Sequence, residues 1–154
     1  MALALATQGC SEDLSPEDIS HEPAVMYLNE ASDTVTTARI HAQDGAWLVQ
    51  WEPAIACDTA VGNGPVGSMF LYVLLPEDVR AGDVFDIVGT SRTELEDAEV
   101  TVLVREDGSS GGYAFNDGLV VVDAWGPEGA TIRVHASVGY AGIEGAIQAT
   151  ACPE

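Results

Sequence analysis

Lysine is absent from this 154-residue chain, and arginine supplies all five of its strongly basic side chains. Against them stand 25 aspartates and glutamates, so the formal net charge is −20 at pH 7. Such a negative field repels the phosphates of nucleic acids and of anionic lipids. The composition therefore argues against nucleic acid as a partner and favours a strongly solvated surface.

Long apolar runs and helical periodicity are lacking as well. No uninterrupted apolar stretch approaches the roughly 20 residues of a membrane-spanning helix, and no long segment repeats its apolar residues with a helical period. Short runs rich in β-branched residues alternate instead with turn signals such as Asp107-Gly108 and Asn116-Asp117-Gly118. This pattern predicts an all-β domain, an antiparallel β-sandwich of about eight to ten short strands, with an immunoglobulin-like topology favoured.

The side-chain alternation predicts which residues form the core. It is clearest at 131–138, where alternate residues are expected to face the core and the solvent. The inward residues are Ile132, Val134, Ala136 and Val138, and the outward residues are Thr131, Arg133, His135 and Ser137. Large aromatic side chains are usually buried. We therefore expect the three tryptophans in the core, and the alternative is that two of them form an exposed platform for stacking sugar rings; they are Trp47, Trp51 and Trp125.

The first ten residues indicate export. Ala2–Ala6 is an apolar fragment like the end of a secretory signal, and Ala4-Leu5-Ala6 fits a cleavage site that gives a mature chain beginning at Thr7. Alternatively, Thr7-Gln8-Gly9-Cys10 resembles the lipobox of bacterial lipoproteins, in which Cys10 is lipidated. The predicted organisation is a residual export signal (1–10), an acidic tether (11–22) and a single β-domain (23–154).

The cysteine count bears on the same question. Three cysteines in an exported chain leave one unpaired unless that one has another role. If Cys10 carries lipid, Cys57 and Cys152 remain as a disulfide pair. The alternative is two buried free thiols, and the spacing fits no zinc motif.

The chain resembles the small uncharacterised lipoproteins of Gram-negative bacteria. The resemblance is carried by Gly9-Cys10, the acidic segment that follows and the Gly145–Pro153 ending. It implies a membrane anchor through lipid on Cys10 and a β-domain beyond it. Because a serine directly after the cysteine generally goes with sorting to the outer membrane, Ser11 implies that location. The resemblance implies no particular activity.

Several motifs lack the structural context that their chemistry needs. Gly62–Gly67 reads G-x-G-x-x-G, but a β-rich run follows it rather than a helix that could face a pyrophosphate. Ser110 lies in G-x-S-x-G, but that segment joins two predicted strands. The acidic run Glu94–Glu99 lacks the spacing of a calcium-binding loop. We therefore expect no catalytic residue, no metal site and no cofactor.

Two near-identical tetrapeptides define one candidate binding site. On a half-buried sheet, the basic residues of 39–42 and of 133–136 point outward and form one patch if the two strands are neighbours; they are Arg39, His41, Arg133 and His135. Two guanidiniums beside two imidazoles suit a carboxylate or a sulfate. The alternative is that these cations pair across strands with carboxylates, among them Glu52, Glu99 and Asp123.

The expected function is that of a non-catalytic β-domain. We expect it to be tethered at the cell envelope or secreted, and to act as a binding or structural module whose protein or glycan partner the sequence does not identify. Two alternatives stay open. One is a hydrolase or metal-dependent enzyme in which His21, His41 or His135 meets carboxylates in a concave site. The other is a surface domain stabilised by calcium in its acidic loops.

Overall fold

The computed structural model describes residues 14–58, 65–89 and 97–153. Over these ranges the chain forms eleven strands and one 3-10 turn at Pro16–Asp18, which confirms the all-β prediction with one strand more than expected. None of the described residues belongs to a helix with the length and hydropathy needed to cross a membrane. The strands are β1 (Val25–Leu28), β2 (Ala31–Thr34), β3 (Ala38–Gln43), β4 (Ala46–Trp51), β5 (Met69–Pro76), β6 (Val84–Asp86), β7 (Glu99–Glu106), β8 (Ser109–Ala114), β9 (Leu119–Gly126), β10 (Gly129–Val138) and β11 (Ala141–Ala151).

The strands form one sheet in the order β6-β9-β10-β11-β3-β4-β5-β7-β8, and β1 pairs with β11 and with β2. The sheet is mixed rather than wholly antiparallel as predicted, because β11 and β3 pair in parallel. The reason lies in the chain path. Both β2 and β11 run antiparallel to β1, and β3 keeps the direction of β2 after a link of only residues 35–37.

The sheet curls so that its far strands meet. A bridge joins Ile87, just after β6, to Ala98, just before β7, and Val88 N donates to Ala98 O at 2.9 Å. Across the interior, β1 packs against β7 and β2 against β5. The enclosed core includes three of the four residues that the alternation of β10 predicts, since Ile132, Val134 and Ala136 are buried; Val138, at the end of the strand, is half-buried and packs against the core.

The described part of the predicted tether packs against this sheet. Ile19 is only 1% exposed, and the carbonyl oxygens of Pro16 and Ile19 both accept hydrogen bonds from Arg133 on β10. Ser20 N donates to Glu144 Oε2 on β11 at 2.9 Å. Residues 16–20 are therefore a strap across β10 and β11, and the folded domain begins earlier than residue 23.

Cys57 and Cys152 form a disulfide, as predicted. It joins the loop after β4 to the end of β11, where Cys152 N also donates to Ile40 O on β3 at 2.9 Å. The bond therefore fixes the C-terminal segment beside the middle of the chain. The predicted lipidation site Cys10 lies outside the described residues.

Removing this disulfide is expected to destabilise the domain. The two cysteines are 95 residues apart, and opening a loop of that length costs up to about 4–5 kcal/mol because the unfolded chain gains conformational freedom. The Cys57→Ala/Cys152→Ala variant should therefore unfold at lower urea concentration, as followed by circular dichroism. Cys10→Ser is the matched control, because it leaves the pair intact. Equal midpoints for the double variant and the wild type would contradict the expectation.

Candidate functional site

The structure does not assemble the predicted basic patch. β11 lies between β3 and β10 in the sheet. Arg39 is in register with Thr150 and Arg133 with Ala146, and these two positions of β11 are about 13 Å apart at the usual rise of a strand. The two halves of the predicted patch are therefore separate, and each has its own partners.

Arg133 is an internal anchor rather than an outward-facing cation. It is 6% exposed and makes a bidentate contact with Asp123, from Nε to Oδ2 at 2.7 Å and from Nη2 to Oδ1 at 3.0 Å. Its Nη1 donates to Pro16 O at 2.7 Å and Ile19 O at 3.0 Å. The strap covers Arg133, so the expectation that this side chain is exposed on the outer face of the sheet is wrong. The alternative expectation, that Arg133 pairs with Asp123, describes the arrangement found.

The guanidinium of Arg133 sets the acidity of its partner. Its hydrogen bonds hold the pKa of Asp123 below the usual range, and Asp123 in turn raises the pKa of Arg133. Beside this pair, His135 Nδ1 contacts Glu144 Oε1 on the adjacent strand. Both basic residues of β10 thus face carboxylates, which leaves little positive charge to attract an anion.

Arg39 and His41 share one acceptor on the neighbouring strand. Gln50 Oε1 lies 3.1 Å from Arg39 Nε and 3.0 Å from His41 Nε2. Arg39 Nη1 also donates to Ala56 O at 2.9 Å, which ties the loop after β4 to β3. The two side chains border an open hollow of about 390 Å³ next to the disulfide. This half of the predicted patch therefore lines one side of that hollow.

A further cation of the sheet is paired in a similar way. Arg105 Nη2 lies 3.7 Å from Glu52 Oε1, which is on a carboxylate only 3% exposed. The guanidinium also lies 5.0 Å above the ring of Phe70. Burial, together with the Glu52 charge, raises the pKa of nearby Tyr72. Glu52 was expected as a possible partner for the basic patch, and Arg105, which is not part of that patch, is one cation beside it.

The described residues hold no group of three histidine, cysteine, aspartate or glutamate side chains placed to bind a metal ion. His21 borders a cavity of about 410 Å³ together with Thr34, Thr36 and Thr37. Ser110 lies on β8, opposite Arg105 of β7, and within a hairpin. Residues 59–64 and 90–96, which include half of the G-x-G-x-x-G motif and half of the acidic run, lie outside the described ranges. The enzyme and calcium alternatives stay predictions.

Two tryptophans from distant strands meet at the margin of the core. Trp47 stands near the start of β4, opposite Ala42 and Leu75, and Trp125 near the end of β9, opposite Ala130. Their ring centroids are 5.7 Å apart and the ring planes meet at 75°. Each ring is half-buried. The curl of the sheet thus brings two indoles together edge to face.

These rings form part of an apolar cleft of about 240 Å³. Trp47 Nε1 donates to Glu77 O at 3.1 Å, so its one polar atom is satisfied. None of the described side chains lining the cleft carries a charge, an amide or a hydroxyl. The lining, which we call the tryptophan cleft, consists of Ile40, Trp47, Trp125, Gly126, Pro127, Gly129, Ala130, Ala151, Cys152 and Pro153.

The tryptophan cleft corresponds only in part to what the sequence predicts. Trp51 is 3% exposed, which confirms it as a core residue; its Nε1 donates to Thr36 Oγ1 at 2.9 Å. Trp47 and Trp125 pack against the core but retain exposed surface. No local sequence signal pairs them, because β4 and β9 are not neighbours in the sheet.

Comparison with known proteins gives no relative for this chain: no family model, no curated protein and no solved structure matches it. The function has to be argued from the residues themselves.

The Asp123–Arg133 pair is expected to make stability depend on acid pH. Because the pKa of Asp123 is lowered in the folded state, its contribution is complete above the unfolded value of about 3.9 and disappears as pH falls through the folded value. Asp123→Asn should therefore lower the urea midpoint at pH 7, and its difference from wild type should shrink below about pH 4.

The control for this experiment is Asp78→Asn, which changes an exposed carboxylate in the turn after β5. It should leave the midpoint at pH 7 unchanged. A difference between Asp123→Asn and wild type that stayed constant down to pH 2 would show that the ion pair does not contribute as described.

Proposed function

We propose that this chain is a non-catalytic binding module of the cell envelope, tethered through lipid on Cys10 or secreted, and that it recognises its ligand in the tryptophan cleft. The observation that carries the proposal is the half-buried pair Trp47 and Trp125, set in a concave apolar surface.

Leaving indole surface uncovered has an energetic cost. Burial of apolar surface stabilises a fold by about 25 cal/mol per Å², so two indoles that keep part of their surface exposed forgo part of that contribution. Concave apolar surfaces rich in aromatic side chains are characteristic ligand sites, and the rest of this molecule carries a net charge of −20. We infer that the cleft is kept open for a ligand.

The size of the cleft indicates what part of a ligand enters it. Pockets that enclose a drug-sized ligand usually measure about 300–1,000 Å³, and this one measures about 240 Å³. It accommodates a single ring, a headgroup or one side chain. The proposed module therefore recognises a small molecule or the protruding end of a larger one.

The architecture proposed for this module is the immunoglobulin-like sandwich that the strand pattern favours. Two pairs of facing strands support this architecture, since β1 packs against β7 and β2 against β5 across the core. Binding surfaces of such sandwiches lie at the ends of the sheets. The tryptophan cleft has the same placement, beside the Gly126–Gly129 connection between β9 and β10.

Export is supported by the cysteines. Stable disulfides belong to oxidising compartments, and Cys57 and Cys152 form one. This pairing leaves Cys10 as the odd cysteine, at the position that resembles a lipidation site. We therefore propose that the domain works outside the cytoplasm, anchored at the outer membrane.

Binding in the cleft is tested by fluorine NMR on protein labelled with 5-fluorotryptophan. We expect at least one class of small fragment, in a set containing monosaccharides, proline peptides, aromatic acids and alkylammonium ions, to shift the resonances of Trp47 and Trp125 but not that of Trp51. Trp125→Leu should abolish the response of Trp47. No shift from any class, or an unchanged response in Trp125→Leu, would refute the site.

Lipidation is tested with the gene and its upstream codons in a Gram-negative host fed an alkyne fatty acid. We expect the protein to carry the label and to sediment with outer membranes, and Cys10→Ala to lose both properties. The Cys57→Ala/Cys152→Ala variant is the control, because it keeps Cys10 and should keep the label. Wild-type protein without label would contradict the anchor.

A further inference from the structure

We propose that the tryptophan cleft binds a small free quaternary ammonium cation, with the positive group held in the corner between Trp47 and Trp125. This inference rests on the proposed binding function and names the chemical class of its ligand. It follows from the ring geometry, from the side chains that line the cleft and from the charge around it.

The two indoles form an inside corner suited to a cation. Their planes meet at 75° and their centroids are 5.7 Å apart, and both residues line the cleft, so a group bound in the angle between the rings can contact both. A cation within about 6 Å of a ring centroid is attracted by the negative face of the ring, most strongly for tryptophan. A cation placed in this corner interacts with both rings at once.

The lining favours a cation that makes no hydrogen bonds. The cleft side chains are aliphatic or aromatic apart from a disulfide sulfur. Trp47 Nε1 is already bonded to Glu77 O, and Trp125 Nε1 can donate but not accept, so the nitrogen and oxygen atoms of the lining side chains offer no acceptor. A sugar ring or a primary ammonium would leave hydroxyls or N–H groups without side-chain partners, which costs about 1–3 kcal/mol for each buried group. Methyl groups on a quaternary nitrogen have no such requirement.

The surrounding charge distinguishes a cation from a neutral apolar group. No arginine or histidine lines the cleft within the described residues. Two exposed glutamates are neighbours of the cleft residues in the chain: Glu128, whose side chain lines the adjoining hollow, lies between the lining residues Pro127 and Gly129, and the backbone oxygen of Glu77 accepts the hydrogen bond of Trp47. The net charge of −20 adds a long-range attraction for cations.

The ligand is inferred to be a free small molecule. A volume of about 240 Å³ matches a headgroup rather than a long chain. A lipid headgroup carries a phosphate beside its ammonium, and a domain with a net charge of −20 repels that anion, whereas a free cation brings none. Choline is therefore the appropriate probe, and its uncharged isostere 3,3-dimethylbutan-1-ol is the matched comparison.

The main experiment is a tryptophan-fluorescence titration of the folded, disulfide-bonded protein with choline chloride, against a sodium chloride blank of equal ionic strength. We expect saturable quenching by choline, with the alcohol binding at least about tenfold more weakly, because it lacks the charge that both rings attract. Equal or tighter binding of the alcohol would overturn the cation assignment while leaving a functional apolar cleft.

Variants locate the site. Trp125→Leu is expected to weaken choline binding at least about tenfold, and Glu128→Gln about two- to threefold in a salt-dependent manner. Tyr140→Leu is the matched control, because Tyr140 is 51% exposed and lies beyond the far end of β10, about 30 Å from the cleft by strand length. If Trp125→Leu does not fold, the placement of the site is tested by how choline binding to Glu128→Gln depends on salt. Loss of binding in Tyr140→Leu, or none in Glu128→Gln at low salt, would overturn the placement.

Two further results separate this inference from the proposed function. Fluorine shifts from a sugar or proline peptide, without any response to choline, would overturn the ammonium ligand and leave the binding module standing. Sedimentation with phosphatidylcholine vesicles, without a response to free choline, would overturn the free cation as the source. An absence of shifts from all fragments would remove both the inference and the binding function.

Discussion

The rest of the fold depends on one edge of β11, which pairs with two different strands along its length. Ala141–Glu144 pair with β1, whereas Ala149–Ala151 pair with β3. Gly145 lies between these two segments with φ 133°, and a Cβ there would lie 2.6 Å from Ala24 Cα and 2.7 Å from Glu22 O. Only glycine allows the chain leading into β1 to approach so closely. This contact lets one strand support two sets of partners.

The same division determines where the cleft forms. Because β3 takes the last residues of β11, the C-terminal segment leaves the sheet beside Ile40, and Cys152 reaches Cys57 there. On the other side of β11, the long ladder with β10 carries β9 and its Trp125 around the core. The curl of the sheet then places Trp125 against Trp47. The disulfide and the tryptophan corner are thus two consequences of one strand pairing.

The sequence predicts features that depend on local pattern and on residue count. The alternation of β10 identifies Ile132, Val134 and Ala136 as core, and the three cysteines indicate the correct pair. It does not predict features that need the path of the whole chain. Arg133 lies on the outward side of an alternating strand, yet a strap more than 100 residues earlier covers it and accepts its hydrogen bonds. No strand pattern contains that information.

The arginines connect the fold to the proposed ligand. Of the four in the described ranges, Arg133 holds the strap, Arg39 holds the loop before the disulfide, and Arg105 lies between Glu52 and Phe70. These three guanidiniums join segments of the chain, and those of Arg133 and Arg105 lie beside carboxylates. The excess of carboxylates elsewhere is therefore uncompensated, and a surface built in this way attracts cations. An uncharged aromatic corner within such a field can concentrate cations without a carboxylate ligand of its own, and the proposed selectivity then rests on the ring faces and on side chains that offer no nitrogen or oxygen acceptor.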